Sequence, residues 1–540
     1  MPPGGLPLHS LTRRKEVARE GNVESRFGRF AVREPTEDAS LTTLSQPARA
    51  PSAIQDHKLP FVIGASAIGT VIEWYDFYLY AVLAVFLAPV FFPGDPTSQT
   101  LSALATFGAG FAVRPFGAVV FGRIGDKTGR KVAFLLTVSI MGGATVLVGL
   151  LPGYATIGIL APILLVTLRM LQGLALGGEY GGAAIYVAEH APDEKRGLYT
   201  SWIQTTATVG LFCALGVILV FRLGLGDAAF KDFGWRIPFL LSAVLVAGAL
   251  YIRMRLQETP LYTRARAQGK TSQSPTSESL GNRRNWKLIL LALFGMTAGQ
   301  AVVWYTGQFY ALSFMTTQLG VKFTDAYTVM LVAIVLATPF FVVFGALSDR
   351  IGRKPIILGG CLIAAISYLP IYMTMHTFAN PQPAVDAAGK AIQVATNPNI
   401  LGLTALVWIQ IVFVTMVYGP IAAFLVEFFP ARIRYTSLSV PYHLGNGEFG
   451  GWLPYIATAI VAASVPTGAL AFLNPAGTPG GNIFAGLSYP ILIALMTVVI
   501  GGLYVRETNR VRIWDEVGGE AESAAVAGVA AGDASAVAGQ

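Results

Sequence analysis

From residue 59 onward, long apolar runs alternate with short polar joins as far as residue 505. Runs of about 18 or more apolar residues are long enough to cross a bilayer as helices. Twelve are predicted, near 59–85, 100–122, 131–151, 158–188, 199–221, 236–255, 286–312, 325–347, 355–376, 400–427, 437–464 and 483–505. The polar remainder divides the chain. Residues 1–58 and 506–540 are expected to be disordered tails, and 256–285 a Ser/Thr-rich, basic linker between a six-helix bundle at 59–255 and another at 286–505. The Asn/Pro/Ala-rich segment 377–399 is expected to be an external loop.

Basic residues orient these spans, because short cytoplasmic joins collect Lys and Arg. The joins after the second, fourth, sixth, eighth and tenth spans carry them, including Arg123, Lys127, Lys195, Arg196, Arg350, Lys354, Arg432 and Arg434. The joins after the first, third and eleventh carry none, and the one after the fifth is a partial exception with Arg222 and Lys231. Both termini are therefore expected in the cytoplasm.

Composition excludes the main alternative. Of 540 residues, 54% are hydrophobic and 13% charged, whereas a soluble chain carries roughly twice that charged fraction. The net charge of +8 falls in the joins, so topology explains it and nucleic acid is not an expected partner. Cys213 and Cys361 both sit in apolar runs and are expected as free thiols. No metal-spaced His/Cys cluster, nucleophile constellation or G-x4-G-K-[ST] phosphate loop is found, so an enzyme, a metal site, a bound cofactor and a nucleotide-driven pump are not expected.

The two halves repeat. "GRIGDKTGRK" (122–131) and "GALSDRIGRK" (345–354) share one pattern, and "EHAPDEKR" (189–196) and "EFFPARIR" (427–434) share another. A Glu-Thr pair closes each half, Glu258-Thr259 and Glu507-Thr508. Three echoes in the same order imply duplicated bundles, a common build for alternating-access carriers. The loop motifs are expected to form a cytoplasmic latch. Asp126 and Asp349 would accept from Arg130/Lys131 and Arg353/Lys354 or from helix N-termini. Glu189 and Glu427, near Arg196 and Arg434, are expected gating contacts.

These motifs resemble those of the major facilitator superfamily. "GTVIEWYDFYLY", "RPFGAVVFGRIGDKTGRK", "RMLQGLALGGEYGGAAIYVAEHAPDEKRG" and "GWRIPFLLSA" are similar to its metabolite:H+ symporter family, over roughly residues 58–510. The second half carries fewer such words, "GALSDRIGRKP" and "HLGNGEFGGWLP". The resemblance implies an all-α membrane protein of twelve transmembrane helices in two pseudo-symmetric six-helix bundles. It implies uptake of a small carboxylate or zwitterion with H+ through a bacterial inner membrane; a monomer in the lipid bilayer is the expected working form.

Glu73 and Asp76 sit inside the first span, where an ionised carboxylate costs at least a few kcal/mol. They share a helical stripe with Tyr80 and are expected near mid-bilayer. Arg114 and Arg169 lie deep in other spans, and Arg169 heads its own stripe with Gln172, Glu179 and Tyr180. One of the two acids is expected to pair with Arg169, take up a proton and free the guanidinium for a substrate carboxylate. In sugar-transporting relatives of the superfamily an acid on helix 1 and an arginine on helix 4 are similarly coupled. Permanent pairing of both acids with Arg114 and Arg169 as structural staples is the competing reading, and Glu179 is a second candidate proton site. Arg114 suits a structural role as well as substrate binding. Tyr305, Gln308, His443, Asn446 and Glu448 are further candidates for lining the path, as is Trp304. Two intramembrane arginines favour a mono- or dicarboxylate as the substrate, with proline or betaine as the alternative. A channel without proton coupling is the reading outside this class.

Overall fold

The computed structural model describes residues 59–254, 275–385 and 391–513. Ten of its helices are long and apolar enough to cross a membrane. The other two predicted spans are helical as well, so twelve rods are seen among the described residues. In the first half these are α1 (Leu59–Phe91), α2 (Pro96–Ala112 and Arg114–Thr128), α3 (Arg130–Leu150), α4 (Leu160–His190), α5 (Arg196–Leu225) and α6 (Arg236–Met254). The second half holds α7 (Arg283–Gln318), α8 (Phe323–Ile351), α9 (Arg353–Ala379), α10 (Ile400–Phe428), α11 (Arg434–Leu444, continued by Leu453–Ala463) and α12 (Ser488–Tyr504). Large apolar side chains such as Leu223, Leu401 and Leu503 remain outside the packed interior, as lipid-facing positions require.

Breaks in the rods follow the sequence. Proline interrupts helical bonding to the preceding turn, and α2, α8 and α10 break at Val113, two residues before Pro115, at Thr338 before Pro339, and at Gly419-Pro420. Helix α7 carries three π-helical turns, Leu293–Thr297, Thr306–Tyr310 and Phe314–Gln318, and α11 carries one at the glycine-rich "GNGEFGG". Such turns recur at functional positions in helices.

Within the first half, α2 and α4 approach backbone to backbone. A Cβ on Gly173 would run into the carbonyl of Gly110, one on Gly177 into that of Arg114, and one on Gly117 into that of Leu174. Close approach through small residues supplies the dispersion contact that replaces a hydrophobic drive in lipid. Gly173→Ala should therefore lower stability by about 3 kcal/mol through overpacking. Gly143→Ala, at a position with nothing within 4 Å, should be close to neutral. Thermal unfolding midpoints in detergent check the pair, and equal midpoints would remove the packing argument.

Three expectations change. Helix α9 runs to Ala379, and the loop after it folds into a hairpin of β1 (Pro381–Val385) and β2 (Ala391–Ala395), the strands found among the described residues of an otherwise helical chain. The Ala395 amide donates to the Gly320 carbonyl, which pins this hairpin to the α7–α8 turn. The linker expected at 256–285 already contains a helical turn at Pro275–Leu280, and α7 begins at Arg283; residues 255–274 lie outside the described ones. The tail expected to lose structure at 506 instead continues to Ile513, which is fully buried. Its Glu507 accepts from the amides of Arg353 (2.9 Å) and Lys354 (3.0 Å), capping α9. The tails at 1–58 and 514–540 lie outside the described residues.

Candidate functional site

Helix α1 is built around its aromatic and acidic residues. Glu73 and Asp76 are both buried, but they meet different neighbours. Glu73 lies 3.0 Å from Arg253, the penultimate residue of α6, and both side chains are almost wholly buried. That contact puts Glu73 nearer the linker end than mid-bilayer, and its partner is not Arg169. A basic residue at a span's end reads as a topology signal, so Arg253 was not legible as an ion-pair partner. Asp76 faces the hydroxyls of Thr145 and Ser242, from α3 and α6, and no ion pair or well-formed hydrogen bond reaches its carboxylate among the described residues.

Arg169 is completely buried and contacts neither acid directly. It donates to Gln172 Oε1 (2.6 Å), and Gln172 Nε2 donates to Thr145 Oγ1 (2.7 Å). An amide and a hydroxyl thus connect the guanidinium to the neighbourhood of Asp76. The Arg169 guanidinium lies 4.4 Å from the ring centres of Phe77 and Tyr80, while the Tyr80 hydroxyl is donated to the Ala103 carbonyl.

Arg114 is the second buried cation. Its guanidinium is 4.0 Å from the Phe111 ring centre, 4.3 Å from Phe77 and 5.5 Å from Trp74. None of its side-chain nitrogens makes a well-formed hydrogen bond among the described residues. Both arginines therefore sit against Phe77, one residue from Asp76. Aromatic faces attract guanidinium groups, yet they do not neutralise them.

The second half closes over Arg114. Tyr305 packs edge-on against Phe111 at 5.7 Å and stacks on Phe309, and Trp304 stacks with Tyr78 at 5.9 Å. Tyr180 of α4 lies flat on Tyr442 of α11, with ring centres 3.4 Å apart, and Tyr442 shares a 2.6 Å hydrogen bond with Tyr418. Gln308 is buried with no hydrogen bond to its amide, and both ring nitrogens of His443 lack one among the described residues. Asn446 is committed elsewhere, in a reciprocal amide pair with Gln300 at 3.2 Å. Glu448 does not join the group. It is half-buried beside Trp452 and Tyr489, because its place in the π-helical turn of α11 directs it towards α12. The side chain of Glu179 lies outside the described residues, as do those of Asp126 and Arg130.

The latch joins the halves. Asp349 accepts from the amides of Gly197 and Leu198 at the start of α5, each at 2.8 Å, and from Arg353 at 2.7 Å. Glu427 is held by Arg196 (2.9 Å), Arg353 (3.0 Å) and the Thr508 hydroxyl (2.8 Å). The expected neighbour of Glu427, Arg434, instead donates to the carbonyls of Val426 and Phe429. Pairing crosses between bundles because their pseudo-symmetry brings the arginine of one motif to the acid of the other. Lys131 and Lys354 reach carbonyls at helix ends, Met254 for the first and Gly502 and Val505 for the second. Glu189 is buried at the end of α4.

Contacts between the halves also form at the opposite end. Arg222, the exception among the basic joins, lies 4.5 Å from the Phe323 ring and 5.4 Å from Phe86. The two arginines and their aromatic surround are therefore enclosed from both sides. Trp74, Phe77, Tyr78, Thr145, Ser242, Gln300, Tyr418 and Tyr442 were not singled out by sequence reasoning. Aromatic and hydroxyl residues are common in spans, and only tertiary contact distinguishes these.

Comparison with known proteins agrees with this architecture. A family described as "Sugar (and other) transporter" matches residues 62–288 and 267–447. The chain is 38% identical over 402 residues to the inner membrane metabolite transport protein YhjE of Escherichia coli K12, covering 73% of this chain and 86% of that protein. It is 35% identical to the alpha-ketoglutarate permease of the same strain (75% and 88% covered) and 33% identical to its proline/betaine transporter (76% and 79% covered). Among solved structures, the proton:xylose symporter XylE aligns with a TM-score of 0.62 at 17% identity, over 84% of this chain and 97% of that one. That likeness shows the fold.

Proposed function

Because the chain belongs to the major facilitator superfamily, within the sugar (and other) transporter family, we propose that it imports a small organic dicarboxylate together with H+ by alternating access. The observation that carries this reading is the pair of buried guanidinium groups, Arg114 and Arg169, set against one phenyl ring with no carboxylate to neutralise them among the described side chains. Buried charge without a counter-ion is costly. A dianion supplies two negative charges at once, and Arg binds carboxylate through paired hydrogen bonds. The alpha-ketoglutarate permease among its relatives points to the same substrate class.

Charge then assigns the proton. Among the described side chains the core holds two cations and one acid outside an ion pair, Asp76, since Glu73 is matched with Arg253. A bound dianion with Asp76 ionised leaves one excess negative charge, and a proton on Asp76 removes it. The neutral, loaded core is the state that crosses between orientations at least cost. The Gln172–Thr145 connection makes Arg169 responsive to that proton without direct contact. Glu73–Arg253 is a structural staple in this scheme. The latch on the linker side closes the cytoplasmic mouth, and both termini lie in the cytoplasm.

A zwitterion such as betaine is the second reading. The stacked rings of Trp74, Tyr78 and Trp304 offer faces to a quaternary ammonium group, but the nearby arginine repels it.

Proteoliposomes with an imposed inward proton gradient should accumulate a labelled dicarboxylate such as alpha-ketoglutarate or succinate. Arg114→Lys and Arg169→Lys should each raise KM roughly 10- to 100-fold, because a point charge replaces a bidentate fork. Accumulation of betaine or proline with no competition from any organic acid would overturn the carboxylate assignment.

A further inference from the structure

Outside the transport path, the start of α7 carries a feature that the transport reading does not use. Trp286 and Lys287 lie three and four residues after Arg283, Leu290 seven and Phe294 eleven, so the five form a single stripe along the helix. With Ile500 of α12 they line a groove of about 560 Å³. Its upper rim is basic and its lower walls are apolar. Trp286 and Leu290 are exposed, and among the described residues neither Arg283 nor Lys287 meets a carboxylate.

The groove also has a defined depth. Asn285, on the opposite face of the same turn, donates to Ser437 Oγ at 3.0 Å, and Ser437 lies one turn into α11 from Arg434. The rim is therefore level with the latch, where the helices leave the apolar slab. Trp286 donates its indole N–H to the Leu280 carbonyl, which fixes the ring between the basic rim and the apolar wall. Tryptophan in such a position marks the headgroup level of a bilayer.

We propose that this groove binds an anionic phospholipid, its phosphate held between Arg283 and Lys287 and an acyl chain lying along Leu290, Phe294 and Ile500. Charge complementarity selects the occupant. A zwitterionic lipid fills the apolar wall equally well but brings its own cation to the rim, whereas an anionic headgroup is attracted by both side chains. A soluble anion finds the rim but leaves the wall uncovered.

Trp286 supplies the readout. The full chain is placed in phosphatidylcholine nanodiscs doped with acyl-brominated phosphatidylglycerol or, separately, acyl-brominated phosphatidylcholine. The quenching due to Trp286 is the difference between the native chain and Trp286→Phe. Quenching by the brominated phosphatidylglycerol is expected to report roughly tenfold enrichment at the groove over brominated phosphatidylcholine. The preference should vanish in the Arg283→Gln/Lys287→Gln chain and withstand excess inorganic phosphate. Equal quenching by the two lipids in the native chain overturns the proposal, as does a preference that survives the double substitution. Displacement by inorganic phosphate would make the rim a free-anion site instead.

Discussion

Replacing Asp76 by Asn is expected to abolish proton-driven accumulation while leaving substrate exchange across the membrane. Asp76 is buried on α1 and faces two hydroxyls, and among the described residues no cation neutralises it. Asn keeps the shape and resembles the protonated acid at every pH. The loaded core then forms without a proton, and the two gradients no longer depend on one another. An imposed difference of about two pH units, which supports on the order of 100-fold accumulation in a one-proton symporter, should yield a ratio near one. The variant should fold, because it removes a buried charge that has no ion-pair partner among the described residues.

Glu73→Gln supplies the contrast. It strips Arg253 of the carboxylate held at 3.0 Å, so a stability loss of about 3 kcal/mol is expected, with coupling retained in the folded fraction. Uptake and counterflow measured in parallel distinguish the two roles. If Asp76→Asn still concentrates substrate and Glu73→Gln does not, the assignments are exchanged.

The second large effect is expected at the latch. Glu427→Gln leaves Arg196 and Arg353 buried without their shared acid. Breaking a buried ion pair from one side costs about 3–5 kcal/mol. That cost falls on the closed arrangement alone, because the arginines are hydrated once the bundles part. A shift of about 3 kcal/mol changes the ratio of closed to open molecules by more than 100-fold. The cytoplasm-open form should then dominate.

Cysteine labelling tests this directly. Ser201 is fully buried where α5 meets Gly345 of α8. In a chain carrying Cys213→Ala and Cys361→Ala, Ser201→Cys should react slowly with an impermeant maleimide in inverted vesicles. Adding Glu427→Gln should raise the rate on the order of 100-fold if labelling follows the open population. An unchanged rate would show that Glu427 does not hold the mouth shut.

The twelve spans, the repeat and the latch motifs were legible in the sequence because each depends on local chemistry. An apolar run has to lie in lipid, and prolines 115, 339 and 420 mark the breaks in α2, α8 and α10. The acids and arginines could also be singled out, since ionisable groups at span depth are rare. Their partners could not. Glu73 is separated from Arg253 by most of a bundle, and Glu427 reaches an arginine 231 residues earlier. Which cation meets which acid depends on the rotation of each helix about its axis, and that is set by close contacts such as Gly173 against Gly110. Hydropathy carries no record of rotation. The sequence alone thus determined that charge is buried here and that two repeated bundles enclose it. Tertiary structure decided that Asp76 stands outside any ion pair among the described residues and that Arg114 and Arg169 share one ring, because only packing sets which faces look inward.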